Sequence, residues 1–192
     1  MIDTTPFVVL GIGNILWADE GFGVRAVEAL HSAYVFPPNV RLIDGGTQGL
    51  ALLPIIESAT VLVIFDAIDY GLTPGSLRII DDDAVPRYLT AKKMSLHQTS
   101  FQDVLGLATL SGRLPAHMRL IGVQPLDLDD YGAGLTTPVR AQLDGAVDHA
   151  LAWLAMFGII GTKRRQDQPA EPLGPASVRH SAYERVAREA RS

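Results

Sequence analysis

The chain has 192 residues, 47% of them hydrophobic and 19% charged, a balance that supports one compact folded unit and excludes a disordered polymer. With no cysteine, disulfides, thiolate metal sites and cysteine nucleophiles are all excluded. The net charge of −5 divides unevenly: residues 1–161 carry nine Lys and Arg against seventeen Asp and Glu, and residues 162–192 carry seven against four. An acidic body of that kind argues against nucleic acid as a ligand. The start Met1-Ile2-Asp3 lacks the basic region of a signal peptide, and no apolar run approaches the roughly 20 residues of a membrane span. A soluble cytoplasmic protein is expected.

Phe7 to Leu10 is a short apolar run ended by Gly11, as in a buried parallel strand. Gly21 to Ala33 has helical spacing through Val24, Val27 and Leu30, with Asp19 as its expected N-cap. Val40 to Ile43 reads as a strand closed by the turn Asp44-Gly45-Gly46, and Leu50 to Glu57 as a helix with Pro54 in its first turn or at a kink. Thr60 to Phe65 has the strongest strand composition, and Ser76 to Ile80 suits an edge strand. Thr99 to Leu110 is a helix by its Phe101, Val104, Leu105 and Leu107 pattern, and Met118 to Val123 is a further strand. A long last helix is expected from Pro138 to Phe157, capped by Thr137 and stopped by Gly158 and Gly161. This alternation predicts a layered α/β domain over residues 1–161. Residues 162–192, with Pro169, Pro172 and Pro175 and few large apolar side chains, read as a disordered tail with a short helix possible from His180 to Ala190.

Gly11-Ile12-Gly13-Asn14 stands where dinucleotide folds place a phosphate loop, but Leu16 occupies the third glycine position. Asp19 and Glu20 would also repel a pyrophosphate from the following helix. Parallel sheets place their sites beyond the carboxyl ends of the strands, and there Glu20, Asp44 and Asp66 are expected to converge. Three carboxylates together require a cation or a proton. His97, in the polar approach Ser95-Leu96-His97-Gln98-Thr99, is the natural nitrogen partner; His31 and His149 fall on helices, His117 in a turn and His180 in the tail. Two carboxylates and an imidazole suit nickel, zinc or a similar divalent ion and leave coordination positions open. The chain has neither a G-x-S-x-G elbow nor an H-E-x-x-H helix. A metal hydrolase, a nickel-carrying chaperone and a binding module all remain consistent with these residues.

The segments Gly11-Ile12-Gly13-Asn14-Ile15-Leu16, Asp19-Glu20-Gly21-Phe22-Gly23-Val24, Asp44-Gly45-Gly46-Thr47, Asp66-Ala67-Ile68 and His97-Gln98, in this order and spacing, resemble the hydrogenase maturation endopeptidases. Ile121-Gly122-Val123-Gln124-Pro125 and Gly134-Leu135-Thr136 extend the resemblance, which runs from about Val8 to Leu154. It implies a three-layer α/β/α sandwich around a five-stranded twisted, mostly parallel sheet, with the Ser76–Ile80 strand reversed. It implies further an endopeptidase that removes the C-terminal extension of the nickel–iron hydrogenase large-subunit precursor after nickel insertion. The family's catalytic, metal-contacting residues map onto Glu20, Asp66 and His97, and its glycine-rich turn maps onto Asp44, Gly45, Gly46 and Thr47 as a substrate-binding element. Nickel is then supplied with the substrate, and zinc or cadmium is expected to substitute in the isolated protein. The expected partner is the precursor alone, met by a monomer without nucleic acid or membrane. A non-enzymatic nickel-binding assembly factor and a hydrolase of small amides are the alternatives.

Overall fold

The computed structural model describes residues 7–90, 98–165, 167 and 169–173. Strand β1 (Phe7–Ile12) leads through a 3-10 turn (Ala18–Gly21) into helix α1 (Phe22–Ala33), followed by the short strand β2 (Tyr34–Val35) and by β3 (Val40–Gly46). A second 3-10 turn and α2 (Leu53–Ser58) return the chain to β4 (Val61–Ala67). Then come β5 (Leu77–Asp81), α3 (Ala84–Thr90), α4 (Gln98–Leu110) and β6 (His117–Val123). The described chain closes with α5 (Thr137–Arg140), α6 (Leu143–Met156) and β7 (Thr162–Lys163).

Five strands form one sheet in the order β3-β1-β4-β6-β5, parallel except for β5, which runs against β6 at the edge. Both central strands are buried on both faces, which explains their unbroken apolar sequence. One face packs Val9, Val63 and Phe65 against α1 and α6 through Phe22, Val27, Ala150 and Trp153. The other packs Leu10, Leu62 and Ile64 against α2 and α4 through Ile56, Phe101, Val104 and Leu105. The architecture is therefore three layers, α/β/α. At the reversed edge, Arg119 on β6 donates two hydrogen bonds of 2.7 Å to the Asp81 carboxylate on β5, and its guanidinium lies 5.1 Å from the Trp153 ring centroid. Among the described residues no helix is long and apolar enough to cross a membrane.

Local expectations differ from the fold at several places. Asp19 does not cap α1: it lies inside the 3-10 turn, wholly buried, and Gly21 holds the cap position. The last helix starts one residue earlier than expected, with Thr136 rather than Thr137 at the cap, and is divided into α5 and α6 around Ala141-Gln142. Helix α3 was not foreseen, because Ala84-Val85-Pro86-Arg87 offers little apolar periodicity. Finally, the stretch from residue 162, expected as linker, is attached to the domain over its described residues. Thr162 and Lys163 pair antiparallel with Val35 and Tyr34, Arg164 donates to the carbonyls of His31 and Tyr34 at the end of α1, and Leu173 packs on the core. Few apolar side chains are needed there, because backbone pairing and one guanidinium make the attachment. The helix expected from His180 lies outside the described residues.

Candidate active site

The Gly11-Ile12-Gly13-Asn14 segment serves close packing rather than phosphate binding. Gly13 adopts φ 128°, and a methyl group there would collide with the Glu20 carbonyl. A methyl at Gly23 would collide with the carbonyls of both Ile12 and Phe65. These contacts draw the turn carrying Glu20 down onto the carboxyl ends of β1 and β4. Asp66 is the penultimate residue of β4 and only 4% exposed. The Oε2 atom of Glu20 is likewise shielded from solvent. The fold thus brings Glu20 and Asp66 to one edge of the sheet, as the order of elements predicts for parallel strands.

Asp44 reaches the same edge but the other face. Strand residues alternate between faces, so Asp66 shares the side of Leu62 and Ile64, against α4, whereas Asp44 shares that of Val40 and Leu42, against α1. Asp44 stands opposite Gly11 in the β1–β3 register and meets the α1 pair Arg25–Glu28, whose own ion pair is 2.8 Å long. Burial first, and then the Glu28 charge, push its carboxyl above the ordinary carboxylate value; the Gly46 backbone and Arg25 oppose them. The three acids therefore do not share one cluster. Asp44, Gly45 and Gly46, expected as a turn, instead belong to β3, with a register irregularity before Gly46; Gly45 is buried, Gly46 takes φ 44°, Thr47 is exposed, and Gln48 Nε2 donates to the Asp44 carbonyl at 2.8 Å. A groove of about 360 Å³ lined by Arg25, Glu28, His31 and Leu173 opens on the α1 face, away from Asp66.

His97 lies outside the described residues. Helix α4, which follows it, packs on the Asp66 face. Ser111, just past its last residue, donates to Glu57 at 2.8 Å shortly before β4, and α4 also contacts the 3-10 turn that follows β3. Among the described residues no three His, Asp or Glu side chains form a group able to hold a metal ion. Three other histidines lie elsewhere. His31 Nε2 is 2.6 Å from the Glu171 carbonyl, His117 opens β6 at the opposite edge 3.9 Å from Asp82, and His149 is exposed on α6.

Two buried residues to which the sequence analysis gave no part in the site, Asp19 and Gln124, organise this edge. The Asp19 carboxylate accepts hydrogen bonds from the backbone N–H groups of Leu126, Asp127 and Thr136 and from the Thr136 hydroxyl, at 2.7–3.0 Å. Gln124 Oε1 accepts from the N–H groups of Tyr70 and Leu72, while its Nε2 donates to Asp69. Together they tie the loops after β1, β4 and β6 into one frame. The only sequence signal was an acid beside Glu20 and an amide in Gln124-Pro125, because the partners lie 52 to 117 positions away.

Comparison with known proteins fits this frame. The profile of the HycI family, hydrogenase maturation protease, matches residues 24–153. The chain is 55% identical over 185 residues to the hydrogenase expression/formation protein HupM of Azotobacter chroococcum, covering 96% of this chain and 88% of that one. It is 40% identical over 158 residues to the hydrogenase 2 maturation protease of Escherichia coli, covering 82% and 95%. The structure of the hydrogenase maturating endopeptidase HybD from Escherichia coli superposes with a TM-score of 0.78 at 39% identity, covering 84% of this chain and 99% of that one. The fold and these similarities agree, and the chain belongs to the hydrogenase maturation proteases, a family of endopeptidases.

Proposed function

We propose that this endopeptidase removes the C-terminal extension of a nickel–iron hydrogenase large-subunit precursor, and that it reads the nickel carried by that precursor through Glu20, Asp66 and His97. The observation that carries the proposal is the seating of the turn that holds Glu20 against β4, where Asp66 is buried and the Glu20 Oε2 atom is shielded from solvent. Two carboxylates at one sheet edge, each partly removed from water, are more easily kept ionised when a cation joins them. A substrate-borne nickel ion supplies that charge, and the imidazole of His97 adds the nitrogen that borderline metals prefer. Cleavage then depends on whether the precursor is loaded. Hydrolysis requires activation of the attacking water, and a carboxylate at this edge is suited to act as its general base. The turn Asp44 to Thr47 lies one strand away on the α1 face and contacts the precursor beside the cleaved bond. Purified precursor with and without inserted nickel, incubated with this protein and resolved by mobility, tests the reading. The loaded form should be shortened and the empty form left whole; equal cleavage of both would refute nickel recognition.

A further inference from the structure

Three large apolar side chains stand exposed beside the site: Leu72 at 41%, Leu126 at 57% and Tyr131 at 62%. Leu72 belongs to the loop after β4, and the other two belong to the loop after β6. Single exposed apolar side chains need no explanation. These three, however, hang on one frame. Leu126 N–H is bonded to Asp19, Leu72 N–H to Gln124, and Tyr131 meets Trp17 through a backbone bridge and an edge-to-face ring contact at 5.1 Å. Further backbone bonds join Gly132 N to Leu16 O and Ala18 N to Asp130 O. A fully buried carboxylate with four hydrogen bonds thus holds a loop whose apolar side chains face outward. The same loop carries Asp127, Asp129 and Asp130, and no Lys or Arg from Gln124 to Thr136.

We propose that Leu72, Leu126 and Tyr131 form a docking rim for one occupant: an extended stretch of the precursor next to its scissile bond, bearing apolar side chains and net positive charge. This rests on the peptidase reading. Asp19, the anchor of the rim, directly precedes Glu20, so a chain lying on the rim runs past the proposed site. A surface fixed before binding spends little freedom on association. Aromatic and apolar anchors inside a charged border are the usual makeup of such a contact. The Asp127–Asp130 turn attracts a basic segment in a salt-dependent way.

The test is steady-state processing of purified nickel-loaded precursor by the Leu126→Ser/Tyr131→Ser double variant and by Asp129→Asn, with circular dichroism to confirm folding. The double variant should raise KM about tenfold, equivalent to about 1.4 kcal/mol, and leave kcat unchanged. Added salt should raise the wild-type KM, and less steeply for Asp129→Asn. An unchanged KM in the folded double variant overturns the rim, as does a fall in kcat alone. Equilibrium binding of the precursor to wild type and double variant scores the rim even without turnover, so failure of wild-type cleavage would count against the peptidase reading and not against this one. A wild-type dimer that the double variant makes monomeric, with precursor binding unchanged, would assign the rim to a second copy and overturn the proposal.

Discussion

Asp44 sits where its charge is disfavoured. Its folded-state value is raised above the ordinary 3.8, by burial and then by Glu28, so the folded protein binds that proton more readily than the unfolded chain does. The ionised carboxylate therefore costs stability, and the cost grows as pH climbs from 3.8 through the raised value, then levels off. Asp44→Asn should melt higher than wild type at pH 7, with the gap closing as pH falls toward 3.8, as differential scanning calorimetry can follow. The same variant should process precursor more slowly if Asp44 to Thr47 binds substrate as proposed, an exchange of stability for function. A variant that melts no higher at pH 7 would refute the burial argument. The position of Asp44 near a strand end was legible in the sequence; its face follows only when the alternation of Val40, Leu42 and Asp44 is set against the helix that covers that side.

Among the elements, the five strands of the main sheet and the principal helices were legible from apolar sequence, unbroken in Val61–Ala67, which is buried on both faces, and at helical spacing in Gln98–Leu110. The attachment that follows α6 was not, because it rests on polar contacts with the end of α1. Arg164 donates to His31 O at 3.2 Å and to Tyr34 O at 3.3 Å, at a helix terminus whose dipole favours a cation. Arg164→Ala should cost about 1–2 kcal/mol in urea unfolding, the scale of hydrogen bonds from a charged donor with the backbone bond Arg164 N to Ala33 O retained. Ending the chain at Gly161 should cost more, since β7 and the Leu173 contact are lost with it. Unchanged stability in both variants would show that the segment rides on the domain without supporting it. Basal cleavage should survive Arg164→Ala, because α1 meets this segment at its far end from Glu20.

For the molecule as a whole, the sheet acts as a plate whose carboxyl edge gathers acids from separate strands. That rule alone placed Glu20, Asp44 and Asp66 along the edge. What it missed was the depth of the organisation: the Asp19 carboxylate is bonded to residues 107 to 117 positions away, a closure that only the folded chain displays. The identity of the proposed metal-reading set rested on resemblance, and its nitrogen member, His97, precedes in sequence the helix that packs on the Asp66 face. The most direct measurement is processing of a nickel-loaded precursor by His97→Ala, with His31→Ala and His149→Ala alongside and circular dichroism confirming that each is folded. Imidazole is the only nitrogen donor in the proposed set, so its loss should abolish conversion while the two helical variants cleave as wild type does. Full processing of the loaded precursor by a folded His97→Ala protein would contradict the three-residue site.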